Sequence, residues 1–356
     1  MVTTMTDDPV RVTGGVDTHK HVHVAAALDG RGGVLGVREF PATGAGHVDL
    51  RGWLGSFGTV DAVGVEGTGS WGAGLCRSLR EAQVTVHEVW RPNRQRRRRT
   101  GKSDPADAVA AARAVQAGDG LAVPKDRTGP AEAARLARIS RDSLTRELTK
   151  LANQIHAVID STASETLRDR YRHKTISQIA TEAARSRPGG EVTNPDVMAA
   201  ITLRRLARRW LAASVERDEV DIDLKVIVEA AAPQLLDEPG IGVDVASVFI
   251  VSLGDNPDRM ATDAAAAAAW GASPVDASSG LHQRHRLNRG GDRQANRALY
   301  IVALCRMRWD PTTQAYIARR IAEGKTKKEA IRALKRHLAR RIWRLLTQTP
   351  APCPSP

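Results

Sequence analysis

The stretch from Val12 to Phe40, VTGGVDTHKHVHVAAALDGRGGVLGVREF, decides the fold of the first part of this chain. Val12–Leu28 is rich in β-forming residues with alternating character, which suits strand. Asp29-Gly30-Arg31 supplies turn chemistry, so Gly32–Phe40 can return as a hairpin partner. Helical patterns follow at 44–55 and 70–82, with short apolar strands at 61–65 and 84–89. A helix from Ser103 to Gln116 closes the segment. Ser103 suits an N-cap, and Pro105 is tolerated in a first turn. The order β-β-α-β-α-β-α predicts an α/β domain with a central mixed sheet, spanning residues 10–120.

Four acidic residues stand where this pattern places chemistry. Asp17 ends the approach Arg11-Val12-Thr13-Gly14-Gly15-Val16, and Glu66 ends the run Ala62-Val63-Gly64-Val65. Both lie at or near predicted strand ends, where loops host reactive groups. Asp104 and Asp107, in Lys102-Ser103-Asp104-Pro105-Ala106-Asp107-Ala108, are three apart and so share a helix face. Hard cations suit such a set: Mg²⁺ takes oxygen ligands, often one or two carboxylates plus substrate phosphates. Two ions about 4 Å apart can activate an attacking oxygen and stabilise a leaving one in phosphodiester chemistry. Mn²⁺ can substitute, because it also accepts carboxylate and water ligands. Scattered surface carboxylates, the usual fate of Asp and Glu, are the alternative. His19, His21 and His23 would share a face with Asp17 if residues 16–24 formed one strand. Without a matching Cys or His cluster they read as structural or solvent-facing, not as a Zn²⁺ or Cu²⁺ site.

Positive charge surrounds these residues. The chain of 356 residues carries a formal charge of +13, which points to a polyanionic partner. Much of it sits in the run from Arg91 to Lys102, with Arg94, Arg96, Arg97, Arg98, Arg99 and Lys102. Like charges at that density repel, so the run is expected to order over phosphates. Cys76, Cys305 and Cys353 form neither a metal-ligand spacing nor a disulfide framework, which fits a reducing cytoplasm. No apolar run is long enough to span a bilayer, and the polar N-terminus does not read as a secretory signal.

Residues 121–232 are mostly helical and charged. Leu144, Leu148, Leu151, Ile155 and Val158 step by four and three, an a/d seam that suits either packing within the chain or a coiled coil between copies. A second helical stretch, 195–231, carries Arg204, Arg205, Arg208 and Arg209. Residues 233–349 form a third segment. Leu236 to Ala246 resembles a helix-hairpin-helix, in which the Gly240-Ile241-Gly242 turn would bring backbone N–H groups to a phosphate. A tight turn with no ligand is the alternative. The last helix, 326–347, is basic through Lys327, Lys328, Arg332, Lys335, Arg336, Arg340, Arg341 and Arg344, with an apolar stripe of Ile331, Leu334, Leu338, Ile342 and Leu345. Such a helix can dock on protein and turn its other side to phosphates. The Pro-rich tail, 350–356, is expected to be disordered.

Taken together, Gly15-Val16-Asp17-Thr18-His19-Lys20, Val65-Glu66-Gly67-Thr68-Gly69-Ser70-Trp71 and Lys102–Ala108 form an ordered set of motifs. Trp270-Gly271-Ala272-Ser273-Pro274, Ser278-Ser279-Gly280 and Asn288–Leu299 extend it. The set resembles the DEDD transposases of the insertion sequence one-hundred-ten family over nearly the whole chain. That resemblance implies a RuvC-like, RNase H-type N-terminal domain with Asp17, Glu66, Asp104 and Asp107 at its metal site. It implies a mostly helical C-terminal transposase domain with a nucleophilic serine, Ser279 by position, with Ser278 beside it as the alternative. It also implies a structured noncoding guide RNA (a bridge RNA), donor and target DNA as substrates, covalent protein–DNA intermediates and a dimer or tetramer. Arg284, Arg286, Arg289 and Arg293 would hold phosphates. Gly290-Gly291-Asp292 departs from the Gly-Asn pair more typical of the family, which affects details of DNA contact. A RuvC-like nuclease or junction resolvase would need the four acids but not Ser279, and a silent nucleic-acid-binding relative would need neither.

Overall fold

The computed structural model describes residues 10–89, 103–162, 164–276, 285–286 and 288–347. The chain divides into two compact units, Met1–Asp126 and Arg127–Pro356. The arginine-rich run Arg91–Lys102, Ser278, Ser279, Arg284 and the Pro-rich tail lie outside the described residues.

The first unit is built on β1 (Arg11–Thr18), β2 (Val22–Asp29), β3 (Val34–Pro41), β4 (Thr59–Val65), β5 (Thr85–Val89) and β6 (Leu121–Ala122). Their order in the sheet is β3-β2-β1-β4-β5-β6. β1, β2 and β3 form an antiparallel meander, while β1, β4 and β5 are parallel. The mixed sheet expected from the pattern is therefore present, with one correction. Val12–Leu28 is not one strand: it reverses at His19-Lys20-His21, where the His19 N–H bonds the Val22 carbonyl at 3.1 Å and Thr18 faces His23 across the ladder. The two arms have similar alternation, and only the polar residues between them mark the turn.

Helices α1 (Gly44–Gly55) and α2 (Ala73–Glu81) cover one face of the sheet. Leu50, Leu54, Leu75 and Leu79 pack there against Val12, Val16, Val63 and Val65. Burying each such leucine stabilises by roughly 1.5–3 kcal/mol. Thr43 caps α1 by accepting the Gly46 N–H at 3.2 Å. Helix α3 (Asp104–Ala117) covers the other face, its Ala108 and Ala112 against Val24, Ala26 and Leu28. Ser103 precedes it in extended conformation, but its hydroxyl makes no capping bond. Asp104 and Asp107 occupy the first turn instead, where carboxylates complement the positive end of the helix dipole.

α3 can lie this close because two strand positions lack side chains. A Cβ added at Gly15 would meet the Ala108 carbonyl oxygen at 2.2 Å and the Ala112 nitrogen at 2.3 Å. One added at Gly64 would meet the Ala111 carbonyl oxygen at 2.8 Å. These are main-chain atoms that cannot rotate away.

The second unit is helical. It contains α4 (Pro130–Ser161), α5 (Glu165–Tyr171), α6 (Ile176–Arg185), α7 (Pro195–Ala231), α8 (Val243–Leu253), α9 (Asp263–Ala269), α10 (Arg293–Trp309), α11 (Pro311–Ala322) and α12 (Lys327–Thr347). The only strands among its described residues are β7 (Val275–Asp276) and β8 (His285–Arg286), a two-stranded ribbon. The heptad seam is closed within the chain. Leu144 and Leu148 meet Ala213 on α7, and Ile155 and Ile159 meet Leu203 and Ala207. Because that seam is occupied, it gives no reason for a second copy of the chain. The last core gathers α8, α9, α10 and α12 around Trp270 and Phe249, whose rings lie 5.0 Å apart. The helix-hairpin-helix expectation needs adjustment too: a three-residue 3-10 turn, Pro233–Leu235, directly follows α7 and precedes the glycine turn.

Gly15→Ala should lower the unfolding free energy of the chain by about 1–3 kcal/mol in a urea titration, since overpacking against fixed backbone has that cost. Gly30→Ala, where an added carbon meets nothing within 4 Å, should change it by less than about 0.5 kcal/mol.

Candidate active site

Alternation along β1 and β4 decides which residues meet. On β1, Val12, Gly14 and Val16 face α1 and α2, whereas Thr13, Gly15 and Asp17 face α3. On β4, Val63 and Val65 face α1 and α2, so Gly64 and Glu66 face α3. The strands are parallel neighbours with Val16 beside Val65, and the Glu66 N–H bonds the Val16 carbonyl at 3.0 Å. Asp17 and Glu66 thus leave adjacent strand ends on the same side. The first turn of α3 lies over that side and adds Asp104 and Asp107. Asp17, Glu66 and Asp107 are buried, and Asp104 is half-exposed.

Thr18 braces the corner by donating its hydroxyl to the Glu66 carbonyl at 2.7 Å. Gly67, at φ +67°, turns the chain out of β4, and an added Cβ there would lie 3.0 Å from the Thr18 hydroxyl. The reversal at residues 19–21 brings in His19, a residue that the sequence reading set aside as structural or solvent-facing. His19 Nε2 lies 3.2 Å from an Asp17 oxygen and 3.3 Å from an Asp104 oxygen. One donor atom each from Asp17, His19 and Asp104 fall within 4.8 Å of one another, close enough to share a cation. The three histidines do not act as a group: His21 is exposed in the turn, and His23 faces α1, on the opposite side from Asp17. Their separation follows from the turn, which no alternation pattern could reveal.

A family model described as "Transposase", of the DEDD IS110 type, matches residues 14–163, and a second, "Transposase IS116/IS110/IS902 family", matches residues 232–318. The chain belongs to the IS110 family of transposases. It is similar to the IS110 insertion-element protein of Streptomyces coelicolor, 34% identical over 140 residues, covering 38% of this chain and 34% of that one. It is also similar to the IS900 insertion-element protein of Mycobacterium paratuberculosis, 29% identical over 175 residues, covering 48% of this chain and 43% of that one. The matched stretches therefore span about a third and under half of the lengths of these two relatives.

In this family member the second matched segment includes the turn at Gly240. That residue adopts φ +81°, and an added Cβ would lie 3.2 Å from the Cys305 side chain, so the glycine serves packing against α10. Arg306 donates to the Pro239 carbonyl at 2.8 Å, while Gly242 is exposed. Burial pushes the Glu238 carboxyl up, but hydrogen bonds from Arg306 and Arg341 outweigh it and hold the group below the usual carboxylate range. Other expected phosphate contacts are also engaged by this chain's own acids. Arg340 and Arg336 pair with Asp263, and Arg332 approaches Glu329. Arg286, Arg289, Arg293, Lys327 and Lys328 are exposed. Asp292 of the Gly-Gly-Asp departure caps α10, accepting the Gln294 and Ala295 N–H groups.

His23 is fully buried and stacked on His47 at 5.4 Å. Burial, reinforced by the charges of His47 and His19, lowers its pKa to about 4. Protonation is then easier in the unfolded chain, so stability is complete above about pH 6.5 and is lost as pH falls toward 4. The loss attributable to His23 reaches roughly 3 kcal/mol at about 1.4 kcal/mol per pH unit. Urea titrations at pH 7.5 and 5 should show this slope, and His23→Phe should flatten it.

Proposed function

We propose that the chain is the recombinase of an insertion sequence, cutting and rejoining DNA through a serine–DNA intermediate. The supporting observation is the convergence on one face of Asp17 and Glu66 from parallel strands with Asp104 and Asp107 from the helix above. An antiparallel meander continued by parallel strands, with acids at the ends of the central pair, is the arrangement expected of a RuvC-like, RNase H-type domain. On this reading residues 10–120 are the catalytic domain, 121–232 a helical region and 233–349 the transposase domain.

The donor set fits Mg²⁺ or Mn²⁺: four carboxylates supply hard oxygen ligands, and the grouped oxygens of Asp17 and Asp104 offer a shared position. Asp17, Glu66, Asp104 and Asp107 would hold the ions. When bound, such ions neutralise the phosphate's charge and favour a deprotonated attacking hydroxyl. Glu66 is held in place by its strand and by Thr18, while α3 sets Asp104 and Asp107 as a unit. Ser279, with Ser278 beside it, supplies the nucleophile: its Oγ–P bond forms as one P–O bond of the strand breaks. A structured noncoding guide RNA selects donor and target DNA, and the working form is a dimer or tetramer. The basic run Arg94–Lys102 directly precedes Ser103 and the two α3 acids, which suits phosphate contact beside the metal site.

The test is an in vitro reaction with the element's flanking noncoding RNA, Mg²⁺ and labelled donor and target DNA, resolved on a denaturing protein gel. Wild type should give a DNA-linked protein band. Ser279→Ala should lose the band, and Asp104→Asn should lose both the band and cleavage by roughly 10³-fold or more. Asp104→Asn should keep its wild-type melting temperature, because the side chain is half-exposed. Free cleavage products in wild type and Ser279→Ala, with no adduct in either, would assign a metal-dependent nuclease instead.

A further inference from the structure

Lys335 departs from the pattern of the basic helix on which it lies. The other basic side chains of α12 reach solvent, but Lys335 is only 6% exposed. The side chain donates to Asn296 Oδ1 at 2.5 Å. Asn296 is itself fixed, because its amide donates to the carbonyls of Trp270 and Gly271 at 3.0 and 2.7 Å. Its oxygen must therefore point at α12. An ammonium has three N–H donors, and Asn296 takes one. No ion pair among the described residues involves Lys335, and burial alone acts on its pKa, lowering it. A buried cation without a counter-charge is costly, which makes an anion its natural partner.

The surroundings agree. Lys335 lines two cavities of about 640 and 650 Å³. The first is also lined by Arg286, Lys325 and Arg336, and Glu329 is its one acid among the described residues. Glu329 is already committed, accepting from the Thr326 N–H and hydroxyl in the box that caps α12. The second cavity is lined by Arg289, Arg293 and Lys328 and has no acid among the described residues. Arg332 borders both. Converging cations around a desolvated ammonium make a receptor for phosphate oxygens.

We propose that Lys335, held by Asn296, is the buried anchor of a phosphodiester-binding site for a DNA strand in the C-terminal unit. DNA is the occupant favoured because the first cavity includes Ser273, Pro274 and Arg286 at the foot of the β7–β8 ribbon, whose connecting sequence contains Ser279. This rests on the recombinase reading given above.

The experiment measures binding of a labelled 40-base-pair DNA duplex to the full chain by fluorescence anisotropy, across a salt series and without divalent metal. Lys335→Met should weaken binding about tenfold and reduce the slope of log affinity against log salt by about 1. Its melting temperature should equal or exceed wild type, since the uncompensated charge is gone. Lys335→Gln, which keeps a polar contact for Asn296, should show the same loss and serves if the Met variant does not fold. Lys225→Met, an exposed charge on α7, should alter affinity less than twofold. Unchanged affinity and slope in both Lys335 variants would overturn the proposal and leave Lys335 as a strut between α10 and α12. A larger loss with an RNA duplex of the same sequence than with DNA would overturn the choice of DNA. If wild type binds neither duplex, the recombinase reading falls with it; metal-dependent cleavage by Lys335 variants that bind as wild type would leave that reading standing alone.

Discussion

The close seating of α3 on the backbone of β1 and β4 is the constraint on which the grouping of the four acids depends. Gly15 and Gly64 remove the two side chains that would hold the helix off, and alanines at 108, 111 and 112 present the thinnest surface that a helix other than glycine can offer. The helix then begins directly above the strand ends. Its first turn carries Asp104 and Asp107, and the strands below end in Asp17 and Glu66. A helix displaced by one methyl group would separate the two pairs of acids. Clustered carboxylates repel one another, and His19 lies between two of them, within 3.3 Å of both Asp17 and Asp104.

The helical unit solves a different problem: it carries many charges on helices that must also close around a core of Phe249, Trp270 and branched aliphatic side chains. Arg138 and Arg141 of α4 meet Asp244 at the start of α8, and Arg141 also meets Asp221 of α7. Glu238 receives Arg306 and Arg341. These bonds tie helices that are far apart in sequence, and they use arginines whose planar donors suit bidentate and bridging geometry. Net basicity therefore overstates the cations available to a nucleic acid. Many cations with carboxylate partners hold the fold, and among the described residues Arg286, Arg289, Arg293 and Lys328 stay exposed near Lys335.

Much of this was legible in the sequence. The alternation of Val12–Phe40 and the apolar runs before Glu66 and after Gln83 exposed the sheet, and Asp17, Glu66, Asp104 and Asp107 stood out by position. The IS110 family likeness was legible in the order of the motifs. The turn at His19 was not, because both arms share one pattern and a three-residue reversal leaves no periodic trace. As a result His19 was grouped with His21 and His23, which the structure parts. The intramolecular closure of the Leu144–Val158 seam was also undecidable locally, since a heptad looks the same to a partner helix of its own chain or of another. Lys335 read as one more exposed cation, because its burial depends on Asn296, 39 residues away.

The central claim is that acids from two strands and one helix form a single cation site. Mn²⁺ binding followed by electron paramagnetic resonance, with Mg²⁺ as competitor, tests it without requiring turnover. The account predicts saturable binding in the wild type that is displaced by Mg²⁺, and its loss in Asp17→Asn, Glu66→Gln and Asp107→Asn chains that melt as wild type. Binding that persists unchanged in all three would show that the acids do not form that site.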